Sequence, residues 1–221
     1  MKENRNKTEQ IGVGQPAITF LRHSFKDKDG NLTDEGIVKA RALDFAIPDG
    51  FEIKIFTSDI GRSEHTGKLL GEKLGNLVPK IDPILSEFPY TDEHIEELGL
   101  SGLKWLSVNE ATKLLAAKIA KFTLEQIKNT NTNTQIIAIS HVPPIMAFLG
   151  HTLAYTKGKL TIDEKIKSEL FETFGGKFDK PAFVKPLEGF EIKYDGSENL
   201  TLVFSNHNLQ IPISFLRNLN T

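Results

Sequence analysis

A chain of 221 residues, 39% hydrophobic and 25% charged, has the composition of an ordinary globular protein and enough apolar material for a sizeable core. Its formal net charge of −2 gives no electrostatic reason to expect a nucleic-acid or membrane-surface partner. The absence of cysteine excludes disulfides, thiolate metal sites and a cysteine nucleophile together.

Residues 1–15 are mostly polar and read as a frayed tail, without the apolar core of a signal peptide. No later apolar run is long enough to span a bilayer, so a cytoplasmic protein is the expectation. The stretch AITFLRHSF opens the ordered part: Ala17, Ile18, Phe20 and Leu21 suit a buried strand that ends on Arg22 and His23. After the turn-rich KDKDGN comes LTDEG, where Thr33 is a good N-cap and Asp34 and Glu35 complement the dipole of a helix running through IVKARALDFA. Pro48-Asp49-Gly50 stops that helix, and FEIKIFTS is a second strand. Ser58 is placed to cap the next helix, which contains Arg62. PKIDPILSEF reads as a short extended segment weakened by its prolines. A helix follows over about Val108 to Lys128, then a short NTNTNT loop. QIIAIS is the clearest buried strand, and it ends on His141. TIDEKIKSELFETFGG reads as a helix closed by a glycine pair, and FEIKYDGSENLTLVFS as two strands joined by a turn. With no internal repeat and no linker, residues 16–221 read as one α/β domain. The alternation predicts a three-layer α/β/α sandwich with a mostly parallel sheet and an antiparallel ribbon near its end.

Three segments share a plan of apolar strand, short polar signature and helix, and they end on Arg22-His23, Arg62 and His141. If these strands are parallel neighbours, two guanidinium groups and two imidazoles gather at one sheet edge, where open α/β sheets bind ligands. Such a group describes an anion pocket. Arginine offers planar, paired donors that suit a phosphoryl group, and a helix start beside Arg62 adds a favourable dipole.

These signatures resemble the histidine phosphatase superfamily, the phosphoglycerate mutase-like proteins. The family pattern opens with a strand ending in Arg-His and a Leu-Thr-x-x-Gly helix start, matched by FLRHS and LTDEG. Next come Ser, Arg and Thr at four-residue intervals, matched by Ser58, Arg62 and Thr66. Last is a strand ending in Ser-His, matched by Ser140 and His141. The resemblance covers about Ile18 to Gly150. It implies that His23 attacks phosphorus and becomes a phosphohistidine, while Arg22, Arg62 and His141 hold the phosphoryl oxygens. It also implies a carboxylic acid that protonates the leaving oxygen. LSEF offers Glu87 for this, with Glu93 in reserve. The implied activity is a metal-independent phosphomonoesterase needing no cofactor, with a small phosphorylated substrate or phosphate as partner.

The sequence departs from that pattern in places. Ser24 stands where glycine is usual, and Val142-Pro143-Pro144 replaces a glycine-rich turn. The loop from His23 to Leu32 is short, with Lys28 as the nearest counterpart of a phosphate-contacting asparagine. Glu87-Phe88-Pro89-Tyr90 keeps only the ends of the mutases' Glu-Arg-His-Tyr segment. The short loop and the altered segment disfavour a phosphotransferase or mutase using the same phosphohistidine, whereas Ser24 and the proline turn bear on pocket shape. Retention of the whole pocket disfavours a binding module that has lost turnover. The acidic run around Asp92, Glu93, Glu96 and Glu97 reads as a solvated face or flap. His94 within it lacks a second spaced histidine for a metal. His65 reads as a surface or packed residue, His151 and His207 as structural, and Trp105 as core or pocket rim.

Overall fold

The computed structural model describes residues 15–86, 109–129, 133–158, 184–204 and 207–221. Seven strands form one sheet: β1 (Ala17–Arg22), β2 (Glu52–Thr57), β3 (Lys80–Ile81), β4 (Thr134–Ser140), β5 (Gly189–Tyr194), β6 (Asn199–Phe204) and β7 (His207–Pro212). Their order is β3-β2-β4-β1-β5-β6-β7. The core formed by β3, β2, β4 and β1 is parallel, and β5, β6 and β7 extend it antiparallel. The α/β/α sandwich with a parallel core is therefore present, and the ribbon expected at its end is wider by one strand, β7.

Side chains alternate across the sheet and give each face its own helices. On one face, Ile18, Phe20, Ile136, Ala138, Phe190 and Ile192 join the largest apolar cluster. That cluster is completed by α3 (Glu110–Asn129), α4 (Val142–Thr156) and α5 (Ile213–Leu219). Phe20 is wholly buried, stacked on Phe190 at 5.0 Å and edge-on to Phe122 at 5.7 Å. On the other face, Leu21, Ile55, Ile137 and Ile139 pack with Leu70 of α2 (Gly61–Lys73), and Ala40 of α1 (Asp34–Ala42) packs with Leu69.

The local signals hold with three corrections, the first being that the segment expected to be extended through PKIDPILSEF keeps only Lys80–Ile81 as strand and turns at Pro83–Leu85 into a 3-10 helix capped by Asp82. Thr33 caps α1, its hydroxyl accepting from the Gly36 N–H at 3.1 Å. However, α1 ends at Ala42 instead of running on to Ala46, because Leu43 turns extended and it and Phe45 pack against the Leu21–Ile55 cluster. Ser58 does not cap α2; Ile60 holds that position without a side-chain bond, and the Ser58 hydroxyl is committed elsewhere. Gly36, the last residue of LTDEG, is required by proximity. A Cβ there would lie 2.5 Å from the Phe25 carbonyl oxygen, so only glycine lets α1 approach the loop after β1. The helix expected over 161–176 lies outside the described residues. Among those described, no helix is long and apolar enough to cross a membrane.

Candidate active site

Register alone brings the signature residues together. β4 lies between β1 and β2, with Arg22 opposite Ser140 and Thr57 opposite Ile139. One residue further, β1 delivers His23 beside His141, and β2 delivers Ser58. The two imidazole centroids are 5.2 Å apart, close to the spacing of adjacent strands. The site occupies the carboxyl ends of the parallel strands, in the middle of the sheet.

Each group is fixed by named partners. The His23 ring is buried, and its Nδ1 lies 2.7 Å from the Ser24 carbonyl oxygen. A carbonyl only accepts, so the proton sits on Nδ1 and Nε2 keeps its lone pair. Into that lone pair Arg62 donates its Nε–H at 3.0 Å. Arg62 Nη2 is also 3.4 Å from His141 Nδ1. His141 is wholly buried, with Nε2 2.7 Å from the Ser58 hydroxyl. Arg22 donates from Nη1 to the Val184 carbonyl at 2.9 Å, which ties the end of β1 to the chain entering β5. The structure thus brings Arg22, His23, Arg62 and His141 to one place.

Burial is the main reason the His23 pKa falls from 6.5 to about 3, with His141, Arg62 and Arg22 adding to it. The Nδ1–H bond to Ser24 opposes that shift. The nucleophile candidate is consequently neutral throughout the physiological range.

The departures from the usual pattern find physical explanations. Ser24 does not intrude on the pocket: its hydroxyl donates to the Gly36 carbonyl at 2.7 Å, so it fastens the His23 loop to α1. Its backbone N–H donates to Thr66 Oγ1 at 3.1 Å, and that hydroxyl donates to the Arg62 carbonyl at 2.8 Å. Thr66, the third member of the second signature, therefore connects the loop of the nucleophile to the arginine that faces it. Pro143 and Pro144 occupy the first turn of α4, where missing N–H groups break no helical bond. Lys28 is exposed in a tight turn organised by Asp27, whose carboxylate accepts from the Asp29 and Asn31 N–H groups.

Glu87 and Glu93 lie outside the described residues, as do His94 and Trp105. The chain leading to Glu87 is held from several sides. Ser140 Oγ donates to the Leu85 carbonyl and Lys118 Nζ to the Ser86 carbonyl, both at 2.7 Å, while Ser86 Oγ donates to Asp59. Reading the sequence missed Asp59 and Lys118; only the fold brings residues so distant in the chain to Ser86. Of the other histidines, His65 is exposed on α2, and His151 is buried with Nε2 3.1 Å from Thr112 Oγ1.

The family model of the histidine phosphatase superfamily, branch 1, matches residues 22–162. This chain belongs to that superfamily. No curated protein matches it by sequence. Among solved structures it is similar to mycobacterial hydrolase 1, with a TM-score of 0.54 and 16% identity over 87% of this chain and 99% of the other. Mycobacterial hydrolase 2 aligns with a TM-score of 0.50 and 15% identity over 94% and 97% of the two chains. For YhfR of Bacillus stearothermophilus the values are 0.50 and 14%, over 82% and 92%. At these identities the likeness is one of fold.

Proposed function

We propose that this histidine phosphatase superfamily member is a metal-independent phosphomonoesterase that hydrolyses a phosphate ester through a phosphohistidine on His23. One observation carries the reading: a neutral imidazole, protonated on Nδ1, presents its Nε2 lone pair to the Arg62 guanidinium beside a second buried histidine. A neutral imidazole is a competent nucleophile near neutral pH. Two arginines supply positive charge that no proton transfer can remove.

In the proposed sequence, the phosphoryl oxygens take over the N–H of Arg62 that is directed at His23 in the free protein, which releases the lone pair. The His23 Nε2–P bond forms as the ester P–O bond breaks, and Glu87 gives its proton to the departing oxygen. The Glu87 carboxylate then takes a proton from water as that water attacks phosphorus. The N–P bond breaks, inorganic phosphate leaves, and His23 regains its lone pair. Arg22, Arg62 and His141 stabilise the charge on the phosphoryl oxygens in both steps. The binding of Ser86 and Leu85 beside β4 supports a proton donor that enters from the segment following Leu85.

Turnover of p-nitrophenyl phosphate should persist in EDTA, and rapid acid-free quenching should trap phosphate on His23. His23→Ala should be inactive. Loss of wild-type turnover in EDTA, or substantial turnover by His23→Ala, would overturn this mechanism.

A further inference from the structure

We propose that Asp59 is a positioning residue for the proton donor: its carboxylate holds Ser86, and through Ser86 it sets the direction in which the chain delivers Glu87. The inference rests on the reading of Glu87 given above and adds what holds that acid in place.

The turn before Glu87 is built on the ends of two strands that carry the site. The Asp82 N–H donates to the carbonyl of Thr57, the last residue of β2, at 2.8 Å, and the Asp82 carboxylate accepts from the Ile84 N–H at 3.1 Å. The Leu85 carbonyl accepts from Ser140 Oγ, beside His141. Ser86 then leaves the turn in an extended conformation, with φ −71° and ψ 152°, and is buried. Two dihedral angles decide where the chain goes from there. The Ser86 carbonyl belongs to the peptide group shared with Glu87, so Lys118 Nζ, donating to it at 2.7 Å, holds ψ. The Ser86 hydroxyl donates to Asp59, which fixes the side chain and with it the place of the Cα.

Asp59 is suited to this task because its own loop is pinned. The Ser58 N–H donates to Ser63 Oγ at 3.2 Å, and Ser63 Oγ donates to the Ile139 carbonyl at 2.8 Å. The Ile60 N–H donates to Ser58 Oγ at 3.3 Å. A short carboxylate side chain on this base makes a charge-assisted bond, stronger than one between neutral groups. The same loop leads into α2 and Arg62. The arginine that faces the phosphoryl oxygens and the anchor of the acid that serves the leaving oxygen therefore stand on one rigid stretch of chain, residues 58–62. An acidic residue just before a helix also complements the helix dipole. That role needs the charge of Asp59 but not Ser86, and the two can be told apart.

The test is single-turnover phosphoryl transfer from glycerol 2-phosphate, whose alkoxide leaves only with a proton, and from p-nitrophenyl phosphate, whose leaving group needs none. Asp59→Ala and Ser86→Ala should each lose roughly 10- to 10²-fold on glycerol 2-phosphate, the usual effect of a misplaced reacting group, and stay close to wild type on p-nitrophenyl phosphate. The double variant should lose no more than either single one, because both changes remove the same bond. Asp59→Asn, which keeps an acceptor oxygen but no charge, should recover most of the loss. Equal losses on both substrates, additive losses in the double variant, or no loss at all, with Glu87→Gln still showing its contrast between substrates, would overturn this inference alone. Absence of that contrast in Glu87→Gln would remove the reading of Glu87 and this inference together.

Discussion

Replacing His23 should make the protein less sensitive to acid, even though it removes the proposed nucleophile. In the unfolded chain a histidine titrates near 6.5, whereas buried His23 titrates near about 3. Between those values the unfolded state binds a proton that the folded state refuses. Stability therefore rises with pH, is fully present above about 6.5, and is lost as pH falls toward about 3. Linkage puts the loss from His23 at roughly 2.5 kcal/mol between about pH 6 and pH 4. Buried His151, lowered to about 4 by burial and by Lys113, should lose roughly 2 kcal/mol over the same interval. Urea unfolding of wild type and His23→Ala at about pH 6, 5 and 4, in buffer free of phosphate, isolates the first contribution. Contributions from the carboxylates and His151 are shared by the two proteins and cancel in the difference between their slopes, and any cavity left by the substitution is the same at all three pH values. The stability of the variant should fall by roughly 2.5 kcal/mol less than that of the wild type across the interval. Parallel pH dependences would refute the reasoning, because they would mean that His23 is protonated as readily in the folded state as in the unfolded one.

Arg62→Ala should weaken phosphate binding and lower kcat/KM by roughly 10²- to 10³-fold, the usual effect of removing one donor to a developing anion, with steady-state kinetics as the measure. Glu87→Gln should lose roughly 10²- to 10⁴-fold in single-turnover phosphoryl transfer from alkyl phosphates. The same variant should stay near wild type on p-nitrophenyl phosphate, whose leaving group needs no proton. Gly36→Ala should destabilise the fold by about 1–3 kcal/mol, because its Cβ would meet the Phe25 carbonyl oxygen at 2.5 Å; thermal or urea unfolding reads this directly. Ser24→Gly should cost about 1 kcal/mol of stability for the lost bond to the Gly36 carbonyl, with kcat close to wild type.

Local chemistry was legible in the chain. Apolar runs ending on Arg22-His23 and on Ser140-His141, a Thr33 cap, and Ser58, Arg62 and Thr66 at four-residue spacing point to strands, helix starts and a candidate anion site, because those signals depend on residues close in sequence. They indicate where each element begins and which side chains it carries. They do not say which strands are neighbours. The insertion of β4 between β1 and β2, which brings His23 and His141 within 5.2 Å, follows from packing the two sheet faces against α1 and α2 on one side and α3, α4 and α5 on the other. For the same reason Ser58 reads as a helix cap in isolation and becomes the partner of His141 once β4 lies beside it. The short turn of Leu43 and Phe45 away from α1 is likewise decided by the Leu21–Ile55 cluster, since the helical propensity of IVKARALDFA continues past Ala42. Protonation was decided last and most completely by tertiary structure. The types of His23 and His141 are written in the chain, but which nitrogen of His23 carries the proton depends on a carbonyl positioned by the folded backbone, in surroundings from which water has been removed.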